Sequence, residues 1–210
     1  MTSTAIIFFP GFRYFVTLYS AGSWAPSLYP TSFPFIQTND ADAVFSILRN
    51  ISLLFQPDGK INVPSVGKSP QYLAAMAGIR IPSQARILVA GLNTVGPEEP
   101  LSREKMTTVL GWYEANGWEA GCERCIELIN YGGRGHSLVI HAQDDEVIMR
   151  FGLEKPVFRI LVNTMGTLGA VGMTTGVTPS LTLGPGGIGG AITGDNIGVQ
   201  HMFNVKRLAY

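Results

Sequence analysis

Four groups of residues in this chain have types and spacing that could do chemistry. Cys122-Glu-Arg-Cys125 sets two thiols at the C-x-x-C spacing of redox and half-zinc motifs. Gly184-Pro-Gly-Gly-Ile-Gly189 satisfies G-x-G-x-x-G, the pattern that seats a pyrophosphate on a helix N-terminus in dinucleotide-binding units. Glu98, Glu99 and Glu104 gather carboxylates around Pro97 and Pro100. His136 follows Gly132-Gly-Arg-Gly135, and an imidazole titrates close enough to neutrality to move a proton.

Local context narrows these. On a helix Cys122, Cys125, Ile126 and Ile129 fall at i, i+3, i+4 and i+7, which is one apolar stripe, so the two thiols read as small core hydrophobes. No second C-x-x-C pair accompanies them, and neither His141 nor His201 stands at ligand spacing, so the sequence offers no metal site. The glycine motif is followed by Gly190-Ala-Ile-Thr-Gly194, a poor helix, with too little chain after it for the rest of a dinucleotide unit. Glu98 and Glu99, between two prolines, read as a solvated turn. Asn163 reads as a structural residue closing the strand that begins at Arg159.

The elements that must position these groups follow an α/β pattern from Asp40 onward. Asp42–Asn50 has the apolar spacing of a short helix. Ser69 and Pro70 give an N-cap and a first-turn proline to a helix over residues 71–77, with Gly78 as its terminator. Residues 85–90, 137–142 and 157–162 are near-continuous apolar runs of the kind buried in a parallel sheet. Helices are expected between them, at Glu119–Tyr131 and after an Asp144 cap through Arg150. The expected fold is therefore α/β, a mostly parallel sheet with flanking helices. From Thr164 to Gly198 glycine recurs without any period, a backbone able to approach a ligand or another subunit closely. Residues 200–210 read as a final strand.

Charge and composition exclude several classes. Fifteen basic and fifteen acidic side chains cancel, so no nucleic-acid or anionic-membrane partner is implied. The apolar stretch from Ala5 to Gly22 is broken by Pro10 and Gly11 and carries Arg13, which argues against a membrane anchor. Trp24 to Ile36, with Pro26, Pro30 and Pro34, reads as irregular extended chain. Two cysteines are too few for a secreted disulfide scaffold, and a cytoplasmic setting is expected.

Three segments taken in order carry a resemblance: Val95-Gly-Pro-Glu-Glu-Pro-Leu-Ser-Arg-Glu-Lys105, Asn130-Tyr-Gly-Gly-Arg-Gly-His136, and Thr178 to Gly190. Together they resemble the C-terminal half of a CoA-acylating aldehyde dehydrogenase. The resemblance covers residues 42–210 and leaves residues 1–40 unassigned. It implies part of a catalytic domain, ending in an oligomerisation-type strand, that serves oxidation of an aldehyde to acyl-CoA with NAD or NADP and coenzyme A. It implies that Glu104 hydrogen-bonds the nicotinamide ribose and that His136, near the catalytic thiol, moves a proton or binds the thioester carbonyl. The nucleophilic cysteine of that family should precede all three segments, yet residues 1–121 contain none, and the resemblance supplies neither that nucleophile nor the cofactor-binding domain. The expected partners are an aldehyde substrate and a second subunit, either another copy or an intact paralogue. The alternative expectation is a non-catalytic protein: a truncated or frame-shifted product, or a regulatory subunit docking on intact enzyme.

Overall fold

A computed structural model describes residues 3–9, 15–20, 53–56, 58–132, 134–135 and 137–210. The helix expected at Asp42–Asn50, the proline-rich stretch from Trp24 to Ile36, and His136 itself lie outside the described residues.

Six strands form one sheet: β1 (Ser3–Phe9), β2 (Phe15–Ser20), β3 (Leu88–Gly91), β4 (Val109–Asn116), β5 (Leu138–His141) and β6 (Ile160–Val162), in the spatial order β3-β4-β1-β2-β5-β6. The β3–β4, β2–β5 and β5–β6 pairs are parallel, whereas β1 runs antiparallel to both β2 and β4. Five strands therefore share one direction and β1 alone opposes them, so the sheet is mostly parallel. Register sets Ile7 opposite Thr17 on one side and Trp112 on the other.

Four helices are described: α1 (Pro70–Ala77), α2 (Gly117–Gly132), α3 (Asp145–Glu154) and the short α4 (Gly166–Ala170). α1 begins as its sequence dictates. The Ser69 hydroxyl accepts the Tyr72 N–H at 3.3 Å, Pro70 occupies the first turn, and Gly78 ends the helix at φ +68°. α3 is capped by Asp144, whose Oδ1 accepts the Glu146 and Val147 N–H groups at 2.9 and 3.4 Å.

The alternation along β5 explains its unbroken apolar run. Leu138 and Ile140 join the main core with Val109, Tyr113, Cys122, Cys125, Leu128, Ile129 and Phe151, while Val139 points to the other face and packs with Leu161, Ala170 and Leu183. The cysteine stripe of α2 thus faces the sheet, with both thiols buried and unbridged. No described helix is long and apolar enough to cross a membrane.

Three expectations are corrected. β4 was not anticipated from its sequence, and the polar end of that run is exposed at Glu114. Residues 200–210 form no strand among the described residues: a 3-10 turn at Val199–Met202 leads into an exposed, irregular end. Glu99 is no solvated turn residue. It is 3% exposed, while Glu98 beside it is on the surface.

Candidate functional site

The loop that carries Glu104 connects β3 to β4 and is built by prolines and a serine. A 3-10 turn at Pro100–Ser102 starts on proline, and Arg103 N–H closes it onto Pro100 O at 3.1 Å. The Ser102 hydroxyl accepts the Gly96 N–H at 3.1 Å and donates to Glu99 O at 2.6 Å, drawing the two arms of the loop together. Downstream, Met106 adopts φ +49° and its carbonyl accepts the Gly67 N–H at 2.9 Å. Arg103 reaches across to Gly59 O at 2.8 Å and lies over the Tyr131 ring at 5.9 Å.

At the centre of this loop is a side chain that the sequence reading passed over. Lys105 is 1% exposed, and its ammonium donates to Leu101 O at 2.5 Å and Arg103 O at 3.0 Å. Burial pushes its pKa down to about 7 against the pull of Glu99 and Glu104, whose carboxylates favour the charged form. Burial and the Glu99 charge likewise push the Tyr113 phenol up. Glu104 is half-buried between exposed Arg103 and buried Lys105. Its carboxylate is thus carried on a loop tied at both ends.

The backbone flanking His136 is held as firmly. Gly135 N–H donates to Pro156 O at 3.0 Å, and Gly135 lies at φ +99°. A Cβ there would stand 2.3 Å from Pro185 O and 2.6 Å from Gly189 N, so only glycine allows the motif 184–189 to lie against this turn. On the other flank, Ser137 Oγ accepts from Arg159, 3.2 Å away, and the same guanidinium donates to Gly194 O at 2.9 Å. Burial lowers the Arg159 pKa from its ordinary value.

The glycine motif itself is a 3-10 turn at Gly187–Gly189 with Gly186 at φ +71°; it opens no helix, in keeping with the poor helix-forming residues that follow it. Gly186 and Gly194 both press on the Phe158 ring. Gly186 and Gly189 therefore let the tail pack against Phe158 and the 134–135 turn.

Glu104 precedes β4 and Gly135 precedes β5, so both stand toward the N-terminal ends of parallel strands, on one edge of the sheet. Three strand spacings separate β4 from β5, about 14 Å. The structure brings the second and third motif segments into contact and leaves the Glu104 loop across the same edge. At the opposite edge, Asn163 sits at φ +53° and clamps Ala142, accepting its N–H at 3.0 Å and donating to its O at 2.8 Å. That is the structural role expected of it. His141 is buried in the sheet, and burial lowers its pKa. His201 Nδ1 accepts the Gly198 N–H at 3.0 Å, closing the last turn.

Neither cysteine lies beside the Glu104 loop or the Gly135 turn among the described residues: both are buried under α2. Cys125 is fully buried, which pushes its thiol up to about 12, and Cys122 is 5% exposed.

No protein-family profile matches the chain. Sequence comparison does find relatives. Aldehyde-alcohol dehydrogenase 2 of Entamoeba histolytica is 36% identical over 153 residues, 72% of this chain and 18% of that protein. The acetylating succinate-semialdehyde dehydrogenase of Clostridium kluyveri is 34% identical over 159 residues, 76% of this chain and 35% of that protein. Among solved structures, an acetylating aldehyde dehydrogenase from Geobacillus thermoglucosidasius superposes with a TM-score of 0.72 at 43% identity, covering 82% of this chain and 37% of the other. The chain thus spans roughly a fifth to a third of the relatives it matches in sequence.

Proposed function

We propose, from the premise that this chain is a homologue of part of the CoA-acylating aldehyde dehydrogenases, that residues 41–210 form the second half of such a catalytic domain, serving oxidation of an aldehyde to acyl-CoA. The observation that carries the reading is the Glu104 loop. A carboxylate carried by a half-buried residue on a braced loop has the chemistry to accept ribose hydroxyls, the contact that orients a nicotinamide for hydride transfer. When bound, NAD or NADP supplies the hydride acceptor, and coenzyme A supplies the thiol that takes the acyl group. Glu104 binds and orients. His136, between the pinned residues Gly135 and Ser137, holds or moves a proton.

The attacking thiol is the part that this chain's own cysteines do not provide, since both lie in the core under α2. The expected result is that the purified chain forms no NADH from short aldehydes and coenzyme A alone. Cofactor binding read by nucleotide titration should nevertheless weaken about tenfold or more in Glu104→Ala, the loss of a charge-assisted hydrogen-bond pair. CoA-dependent NADH formation by the chain alone would overturn the division of labour proposed here, and nucleotide affinity unchanged in Glu104→Ala would overturn the role of the carboxylate.

A second reading, of a subunit that docks on another copy or on an intact paralogue, is favoured by the C-terminal end. Phe203, Val205, Leu208 and Tyr210 are all largely exposed on a segment that makes no strand pairing among the described residues. Size-exclusion chromatography of the chain with and without residues 203–210 tests it: a shift to lower mass on truncation supports docking through this end, and an unchanged monomer removes it.

A further inference from the structure

α2 and α3 lie on the same face of the sheet, and where the start of one meets the end of the other they bring an amine and a thiol together. Lys155, at the C-cap of α3, is 5% exposed. Its Nζ donates to Cys122 Sγ and stands 4.1 Å from the centroid of the Phe151 ring. On its other side the thiol donates to Glu154 Oε2 at 3.7 Å, and that carboxylate, 43% exposed, also pairs with Arg150 at 3.4 Å. Trp118 closes the wall, tilted on Phe151 at 6.5 Å between ring centroids and covered by the Arg150 guanidinium at 4.9 Å. Cys122 is therefore sandwiched between a buried amine and a carboxylate that opens to solvent.

We infer that Cys122 and Lys155 form a peroxide-triggered, reversible covalent bridge through a sulfur–nitrogen bond, a modification site independent of the aldehyde chemistry proposed above. Hydrogen peroxide transfers one oxygen to Sγ. The thiol becomes a sulfenic acid, sulfur is oxidised by two electrons, and one water leaves. The Lys155 ammonium releases a proton to solvent, and the amine lone pair attacks sulfur. The sulfur–oxygen bond breaks, the sulfur–nitrogen bond forms, and the hydroxyl departs with a second amine proton as another water. The sum is thiol plus amine plus peroxide giving sulfenamide plus two waters. Two equivalents of a small thiol reverse it, returning the free cysteine and lysine and leaving a disulfide of the reductant.

The geometry supplies what this sequence of steps needs. Nitrogen and sulfur are already in contact, so the attack joins two groups that the fold has brought together. The competing thiol, Cys125, has no exposed surface and is pushed up to about 12, which keeps it unreactive. The bridge would tie residues 33 apart in sequence and lock α2 to α3 on the sheet.

The test is treatment of the full folded chain with hydrogen peroxide, followed by intact-mass measurement and peptide mapping. The expected product has lost two hydrogens, links the Cys122 peptide to the Lys155 peptide, and returns to the starting mass with dithiothreitol. It should form in Cys125→Ser and fail in Cys122→Ser and Lys155→Arg. Mapping of the wild-type chain decides the matter even if a variant does not fold. A Cys122–Cys125 disulfide of the same mass, a sulfinic acid at Cys122 with Lys155 free to amine reagents, a bridge retaining an oxygen atom, or an unreacted Cys122 would each overturn the inference.

Discussion

Two lysines of this protein are almost equally buried and do opposite things. Lys105 is 1% exposed and Lys155 is 5% exposed, yet the first is surrounded by acceptors and the second by a sulfur and a ring. Around Lys105, two backbone carbonyls take its protons while Glu99 and Glu104 supply countercharge, so the ammonium works as a brace for the loop that presents Glu104. Around Lys155, the polar partner is a thiol that can be oxidised, so the same functional group becomes a reagent. Burial alone tells little about what a lysine does. The chemistry of its acceptors decides whether it is scaffold or reactant.

The difference is broken most directly by removing each charge. Lys105→Met leaves the Leu101 and Arg103 carbonyls without their donor, and should cost about 1–3 kcal/mol of folding stability in urea titration near pH 10, where burial of the charge no longer weighs against the lysine. A loss near zero would mean that the loop is not braced by the Lys105 nitrogen. The next effect is one of pH. The Lys105 pKa falls from 10.5 unfolded to about 7 folded, so between those values the unfolded chain binds more protons. The burial cost of this group is fully present below pH 7 and is relieved as pH rises toward 10.5, with stability gaining up to a few kcal/mol, on the order of 3–5. The slope over that window, measured by denaturation at several pH values, should flatten in Lys105→Met.

Smaller effects sharpen the contrast. Glu104→Gln keeps the shape of the loop but removes a carboxylate that favours the Lys105 charge, so stability should fall by about 1 kcal/mol and nucleotide affinity should fall with it. Lys155→Met exchanges an amine beside a sulfur for an apolar chain of similar length. Here the change in stability should stay within about 1 kcal/mol in either direction, because no buried carboxylate is abandoned. A loss of several kcal/mol in Lys155→Met would erase the distinction between the two sites.

Much of the framework was legible because its signals are local. The Ser69-Pro70 start and Gly78 stop of α1, the Asp144 cap of α3 and the apolar stripe of α2 are all satisfied within a turn or two of the residues that encode them. The family resemblance was likewise carried by contiguous motifs. β4 was missed because Gly111 interrupts its run; the structure uses that glycine to admit the Leu92 side chain, 3.0 Å from where a Cβ would stand, which no local pattern announces. β1 and β2 were unassigned because an aromatic, proline-broken segment acquires strand identity from its neighbours in the sheet.

Within the candidate site, Glu104 was proposed from a motif, and Lys105, the next residue, was passed over. A lysine in sequence reads as surface, and only the fold of residues 96–106 around it turns the ammonium inward. The same holds for Glu99, whose flanking prolines suggested a solvated turn, and for Cys122 and Lys155, which no spacing rule connects. Sequence by itself determined α1, α2 and α3, the core stripes and the family to which the motifs point, because hydrogen bonds and periodicity within a few residues specify them. Tertiary structure alone decided which charges are buried, what faces them, and how the 135 turn meets the 184–189 turn, because desolvation and contact between distant segments exist only once the chain has closed on itself.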